Sequence, residues 1–81
     1  MKLIISDELR QRLDRMLILD EDVEAVIRRC AGEQRFIKTE DGRCIGHLKQ
    51  GTLTYWAVWR CVEDAYQVLN VYSHRMSIEG E

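Results

Sequence analysis

Proline is absent from these 81 residues. No Pro-rich linker therefore divides the chain, and its helices must be broken by glycines and capping residues. Long apolar runs are missing too. Leu3-Ile4-Ile5 is too short for the apolar core of a secretory leader, and no segment approaches the ~20 apolar residues that span a bilayer. An even set of cysteines is lacking: Cys30, Cys44 and Cys61 are three, which fits reduced thiols and a cytoplasmic location better than a disulfide framework. Excess positive charge is lacking as well. The net charge is −2, whereas domains that grip nucleic acid through its phosphates are usually basic, so nucleic acid is not the expected partner. No Gly-rich phosphate loop, nucleophile elbow or His-Glu metal helix occurs, and no cofactor is expected.

What is present is a globular composition, 46% hydrophobic and 32% charged. The length suits a single domain over 1–81 that buries roughly 60–65% of its unfolded surface. Its core is thin, and a dimer contact would matter to its stability.

Leu3-Ile4-Ile5 reads as a short strand. Ser6 follows as an N-cap with Asp7 and Glu8 in the first turn, and Leu9, Leu13 and Met16 mark one face of a helix over about 7–16. Asp20 reads as a second N-cap. Val23, Val26, Ile27 and Cys30 recur at helical spacing, and Gly32 stands where a helix terminator belongs, giving a helix over about 21–31. Strands follow at about 35–39, 43–49, 53–62 and 66–74. They are separated by Asp41-Gly42, Gln50-Gly51 and Glu63-Asp64, and Ser77 to Glu81 reads as a frayed tail. The fold class is α+β: an N-terminal short strand and two helices packed on an antiparallel β-meander.

Alternation divides the meander into two faces. Cys44, Gly46, Leu48, Tyr55, Ala57, Trp59, Val68, Asn70, Tyr72 and His74 share the face assigned to the helices. Ile45, Trp56, Val58, Leu69 and Val71 share the other. That second set is too apolar for open solvent and marks a contact surface for a protein partner or a homodimer. Trp56 and Trp59 fall on opposite faces, so one of them is free to anchor a partner.

Two constellations bear on chemistry. Cys44 and His47 have C-x2-H spacing, but residues three apart on a strand point to opposite faces, so no shared zinc and no metal is expected. Tyr72-Ser73-His74-Arg75-Met76 brings a phenol, an imidazole and a guanidinium together. His74 suits acid–base work and Arg75 suits an anion clamp, against the plainer reading of half-buried sheet residues and a solvated strand end.

The order strand, two helices, antiparallel strands resembles the RelE/ParE toxin superfamily, including the BrnT ribonuclease toxins. Ile5-Ser6 and Leu19 to Ile27 resemble a family of short bacterial domains near those toxins. Here Asp7-Glu8-Leu9 lacks the early histidine usual in that family, and the chain is acidic where the toxins are basic. By position, the likeness implies catalytic groups at Arg60, Tyr72, His74 and Arg75. Separately, Thr54-Tyr55-Trp56 with Tyr72 to Met76 resembles a small family from anaerobic bacteria, some of whose members occur beside or fused to flavin or pyridine-nucleotide oxidoreductases. That resemblance implies a compact accessory domain. The leading expectation is therefore a non-catalytic accessory or protein-interaction domain. The alternatives are a toxin-like ribonuclease and a module docking on an oxidoreductase.

Overall fold

The computed structural model describes residues 2–75, apart from the side chain of Arg75; the frayed tail expected beyond it and Met76 lie outside the described residues. Along the chain run β1 (Leu3–Ile5), α1 (Asp7–Arg15), α2 (Asp20–Glu33), β2 (Ile37–Lys38), β3 (Cys44–Gln50), β4 (Leu53–Val62) and β5 (Ala65–Arg75). The α+β class holds. The strands form one five-stranded sheet in the order β1-β5-β4-β3-β2. It is mixed rather than wholly antiparallel, because β1 pairs parallel to β5, with Leu3 opposite Tyr66 and Ile5 opposite Val68. The strand expected over 35–39 is reduced to Ile37–Lys38, which pairs with Ile45 and Cys44.

The chain passes from β1 into α1 with only Ser6 between them. The Ser6 hydroxyl accepts from the Leu9 N–H at 3.2 Å, which satisfies one of the unpaired donors at the helix start. At the start of α2 the cap differs from expectation. Asp20 is already helical, and the Asp22 carboxylate accepts from the Leu19 N–H at 3.0 Å. The end differs as well. Gly32 lies inside the last turn, and the left-handed residue is Gln34 (φ 54°), with the Arg35 N–H donating to the Cys30 carbonyl at 2.8 Å. α1 ends in the same way. Leu17 is left-handed (φ 59°), and the Ile18 N–H donates to the Leu13 carbonyl at 2.9 Å.

Both helices cover one side of the sheet, α2 over β3 and β4 and α1 against β5. The core between them joins Leu9, Leu13, Val23, Val26, Ile27 and Cys30 to Cys44, Ala57, Trp59, Val68 and Val71. α2 approaches β3 closely at Gly46, where a Cβ atom would stand 2.7 Å from Cys30 Sγ and 3.0 Å from Trp59 Cη2.

The β3–β4 hairpin turns at Gly51-Thr52, one residue later than expected; Gln50 is opposite Leu53 and the face assignment is unaffected. The β4–β5 ladder starts at Val62 opposite Ala65 and keeps the expected alternation as far as Trp59 opposite Val68. The next pair is Val58 with Asn70, so Leu69 is an extra residue in β5. From there to the strand end the two faces exchange. Val71 turns into the core at 1% exposure, while Asn70, Tyr72 and His74 turn outward, the reverse of what unbroken alternation gives.

Candidate functional site

The side of the sheet away from the helices is built from cross-strand rows. Ile37, Ile45, Val58 and Asn70 form one row, and His47, Trp56 and Tyr72 form the next. Beyond them come Lys49, Thr54 and His74. Trp56 is 38% exposed, Tyr72 45% and Ile37 68%, whereas Trp59 on the helix side is 1% exposed. The two tryptophans are thus divided between a wet face and the core, as alternation implies.

The planar groups of this face are ordered against one another. The His47 and Trp56 rings stack with centroids 4.6 Å apart and planes 27° from parallel. The Arg12 guanidinium reaches from α1 around the margin of β5 and lies 5.4 Å from the Tyr72 ring centre. It also donates to Asn70 Oδ1 at 2.8 Å, and Asn70 Nδ2 donates to the Tyr72 hydroxyl at 2.7 Å. Asn70 Oδ1 further accepts from the Val71 N–H at 2.9 Å, placing a side-chain partner on a backbone donor near the bulge. Beside Trp56 a cleft of about 350 Å³ is lined by Gln34, Arg35, Phe36, Ile37, Ile45 and His47.

Of the contact residues expected from sequence, Ile45, Trp56 and Val58 share this outer face. Val71 does not, because the bulge carries it into the core. Leu69 lines a small cleft against α1, with Ser6, Leu9 and Arg12. Ile37, His47 and Tyr72 belong to the face instead. Ile37 is on this face because β2 pairs it with Ile45, and Tyr72 because of the face exchange. The signal for that exchange was present: unbroken alternation would have placed Asn70 and His74 against the helices.

Tyr72 and His74 do share one face, His74 exposed and opposite Thr54. Arg75 pairs with Leu53 through its backbone, and its side chain lies outside the described residues. Arg60 is opposite Gln67, seven residues along β5 from His74; at about 3.3 Å per residue that is roughly 20 Å or more. The four positions implied by the toxin likeness are not drawn into one cluster.

Cys30 is buried, and its thiol donates to the His47 carbonyl at 3.3 Å. Burial pushes the Cys30 thiol above its ordinary value, against a smaller opposing effect of that bond. Cys44 is also buried and raised, by desolvation first and by neighbouring Cys61 second. Cys61 is exposed. Among the described residues, no group of three or more His, Cys, Asp and Glu is placed to hold a metal ion. No helix among them is long and apolar enough to cross a membrane.

Compared with known proteins, the chain matches no family model, no curated protein and no solved structure.

Proposed function

We propose that this protein is a small non-catalytic interaction domain that contacts a protein partner, or a second copy of itself, through the outer sheet face. The observation that carries the reading is Trp56, stacked on His47 within an apolar and aromatic face that neither helix covers. Burying apolar surface contributes about 25 cal/mol per Å². A domain with so thin a core gains from covering Ile37, Ile45, Trp56 and Val58. An oxidoreductase is one partner consistent with the resemblance of the Thr54-Tyr55-Trp56 and Tyr72 to Met76 segments.

The test is photo-crosslinking in the native cell from an amino acid placed at position 56, compared with one at Glu24 on α2. Adducts from position 56 alone are the expected result. Adducts from position 24 alone, or none from position 56, count against the reading.

One observation favours a second reading, the toxin-like ribonuclease: the bulge puts Tyr72 and His74 on the same exposed face. Incubation of purified protein with end-labelled RNA separates the two. Cleavage that disappears in His74→Ala supports the ribonuclease.

A further inference from the structure

The charges of this chain are sorted by element. No Asp or Glu occurs in residues 43–62 or 65–75, the stretches that hold β3, β4 and β5. The acidic residues of the described chain lie instead in α1 and α2, in the loop at Glu40-Asp41 and in the turn at Glu63-Asp64. The cations around the outer face differ in what they touch. Arg35 pairs with Glu33, Arg43 with Asp41, and Arg12 bonds Asn70. Lys49 and Arg60 are exposed and have no ion-pair partner among the described residues.

These two cations stand at opposite ends of the apolar rows. Lys49 is opposite Thr54, and Arg60 is six residues further along β4. At about 3.3 Å per residue they are separated by roughly 20 Å, with Trp56 and Val58 between them. We infer that the outer face takes a protein segment that is acidic at both ends and apolar between, its carboxylates meeting Lys49 and Arg60 and its apolar side chains covering Trp56 and Val58. This inference rests on the interaction reading above and adds the chemistry of the partner. Charge complementarity of this kind mainly sets specificity and encounter rate, while the aromatic anchor supplies affinity.

Single-stranded nucleic acid is the competing polyanion, and the ring geometry disfavours it. A base needs an open aromatic face. Trp56 already lends one face to His47, and Tyr72 lends one to Arg12. Among the described residues, the two cations of this face without an ion-pair partner are also few for tracking a phosphate backbone.

The experiment is an NMR titration of the full chain with a synthetic peptide of about ten residues, Asp pairs flanking a Leu/Phe/Val centre, following the Trp56 indole N–H. A control peptide carries Lys pairs at its ends, and a second probe is oligothymidine of similar length. The Asp-ended peptide should bind. The Lys49→Glu/Arg60→Glu variant, checked by circular dichroism, should weaken it about tenfold and favour the Lys-ended peptide, and Trp56→Ala should weaken both. Should the double variant misfold, raising salt from about 0.1 to about 0.5 M must weaken the wild-type complex. Equal binding of both peptides, or no binding of the Asp-ended one, overturns the acidic-partner inference while leaving an apolar contact in place. Tighter binding of oligothymidine overturns the protein-interaction reading as well.

Discussion

Gly46 is where α2 comes down onto β3, and the close approach needs the missing side chain. A Cβ there meets Cys30 Sγ at 2.7 Å and Trp59 Cη2 at 3.0 Å. Gly46→Ala is expected to cost about 1–3 kcal/mol, since a packed core resists an added methyl. Replacing Cys30 by Ala removes the nearer obstacle and should recover part of that cost. Urea denaturation of the double-mutant cycle measures this, and equal costs in both backgrounds would contradict it. The two tryptophans give a contrasting pair. Trp59→Ala should cost about 3–5 kcal/mol, because its ring fills the core and lies 5.8 Å from Phe36. Trp56→Ala should cost under about 1 kcal/mol, as surface changes do. Thermal melts of the two variants decide it; a larger loss at Trp56 would mean that the two sheet faces are reversed.

Each helix ends on a residue poorly suited to its backbone. Leu17 and Gln34 both hold φ above +50°, where an L side chain crowds the carbonyl. The return bonds, Ile18 N–H to Leu13 O and Arg35 N–H to Cys30 O, keep them there. Glycine at either position removes the crowding. Leu17→Gly and Gln34→Gly should each raise stability by about 1 kcal/mol, read from the urea midpoint. A loss at Leu17 would instead mean that its exposed side chain packs in solution. The helix bodies were legible in sequence because Leu9, Leu13, Val23, Val26, Ile27 and Cys30 follow the helical period and are all buried. The end of α2 was not, since Gly32 draws the eye as a terminator while the carbonyls of Cys30 and Ala31 carry the helix on to Gln34. β5 shows the same limit. A period-2 rule reads Val68 correctly and then fails at Leu69, because a bulge inserts one residue without changing composition.

For the molecule as a whole, two buried thiols and a surface of weak ion pairs set the dependence on pH. Arg10–Asp20 ties α1 to the start of α2 at 3.0 Å, but both side chains are about half exposed, so the pair contributes little. The thiols act in the other direction from paired carboxylates. Burial raises the Cys30 and Cys44 pKa values in the fold above the free-thiol value of 9.0. The folded state thus holds those protons more tightly than the unfolded chain. Their contribution is complete below the unfolded thiol pKa and is lost as pH rises through the folded values. Urea midpoints should hold steady up to about pH 8 and fall toward about pH 10, with Cys30→Ala flattening the fall. An unchanged midpoint across that range would contradict buried, protonated thiols. Exposed Cys61 should react first with a thiol reagent at neutral pH, Cys30 and Cys44 following only on unfolding.

The sequence specifies the element types, the Ser6 cap, the helix faces and the split of Trp56 from Trp59, because each follows from neighbours a few residues apart. The same local rules placed Ile45, Trp56 and Val58 together on the side of the sheet away from the helices. Other features depend on groups far away in the chain. β1 lies parallel to β5 because Leu3 and Ile5 find Tyr66 and Val68, more than sixty positions on. Val71 is core, and Tyr72 and His74 are outward, because the ladder to β4 slips by one residue at Leu69. The stack of His47 on Trp56, and of Arg12 on Tyr72, joins residues from different elements. Such pairings depend on which backbone and side-chain groups meet when the sheet and helices close on a shared core, and no local period encodes that.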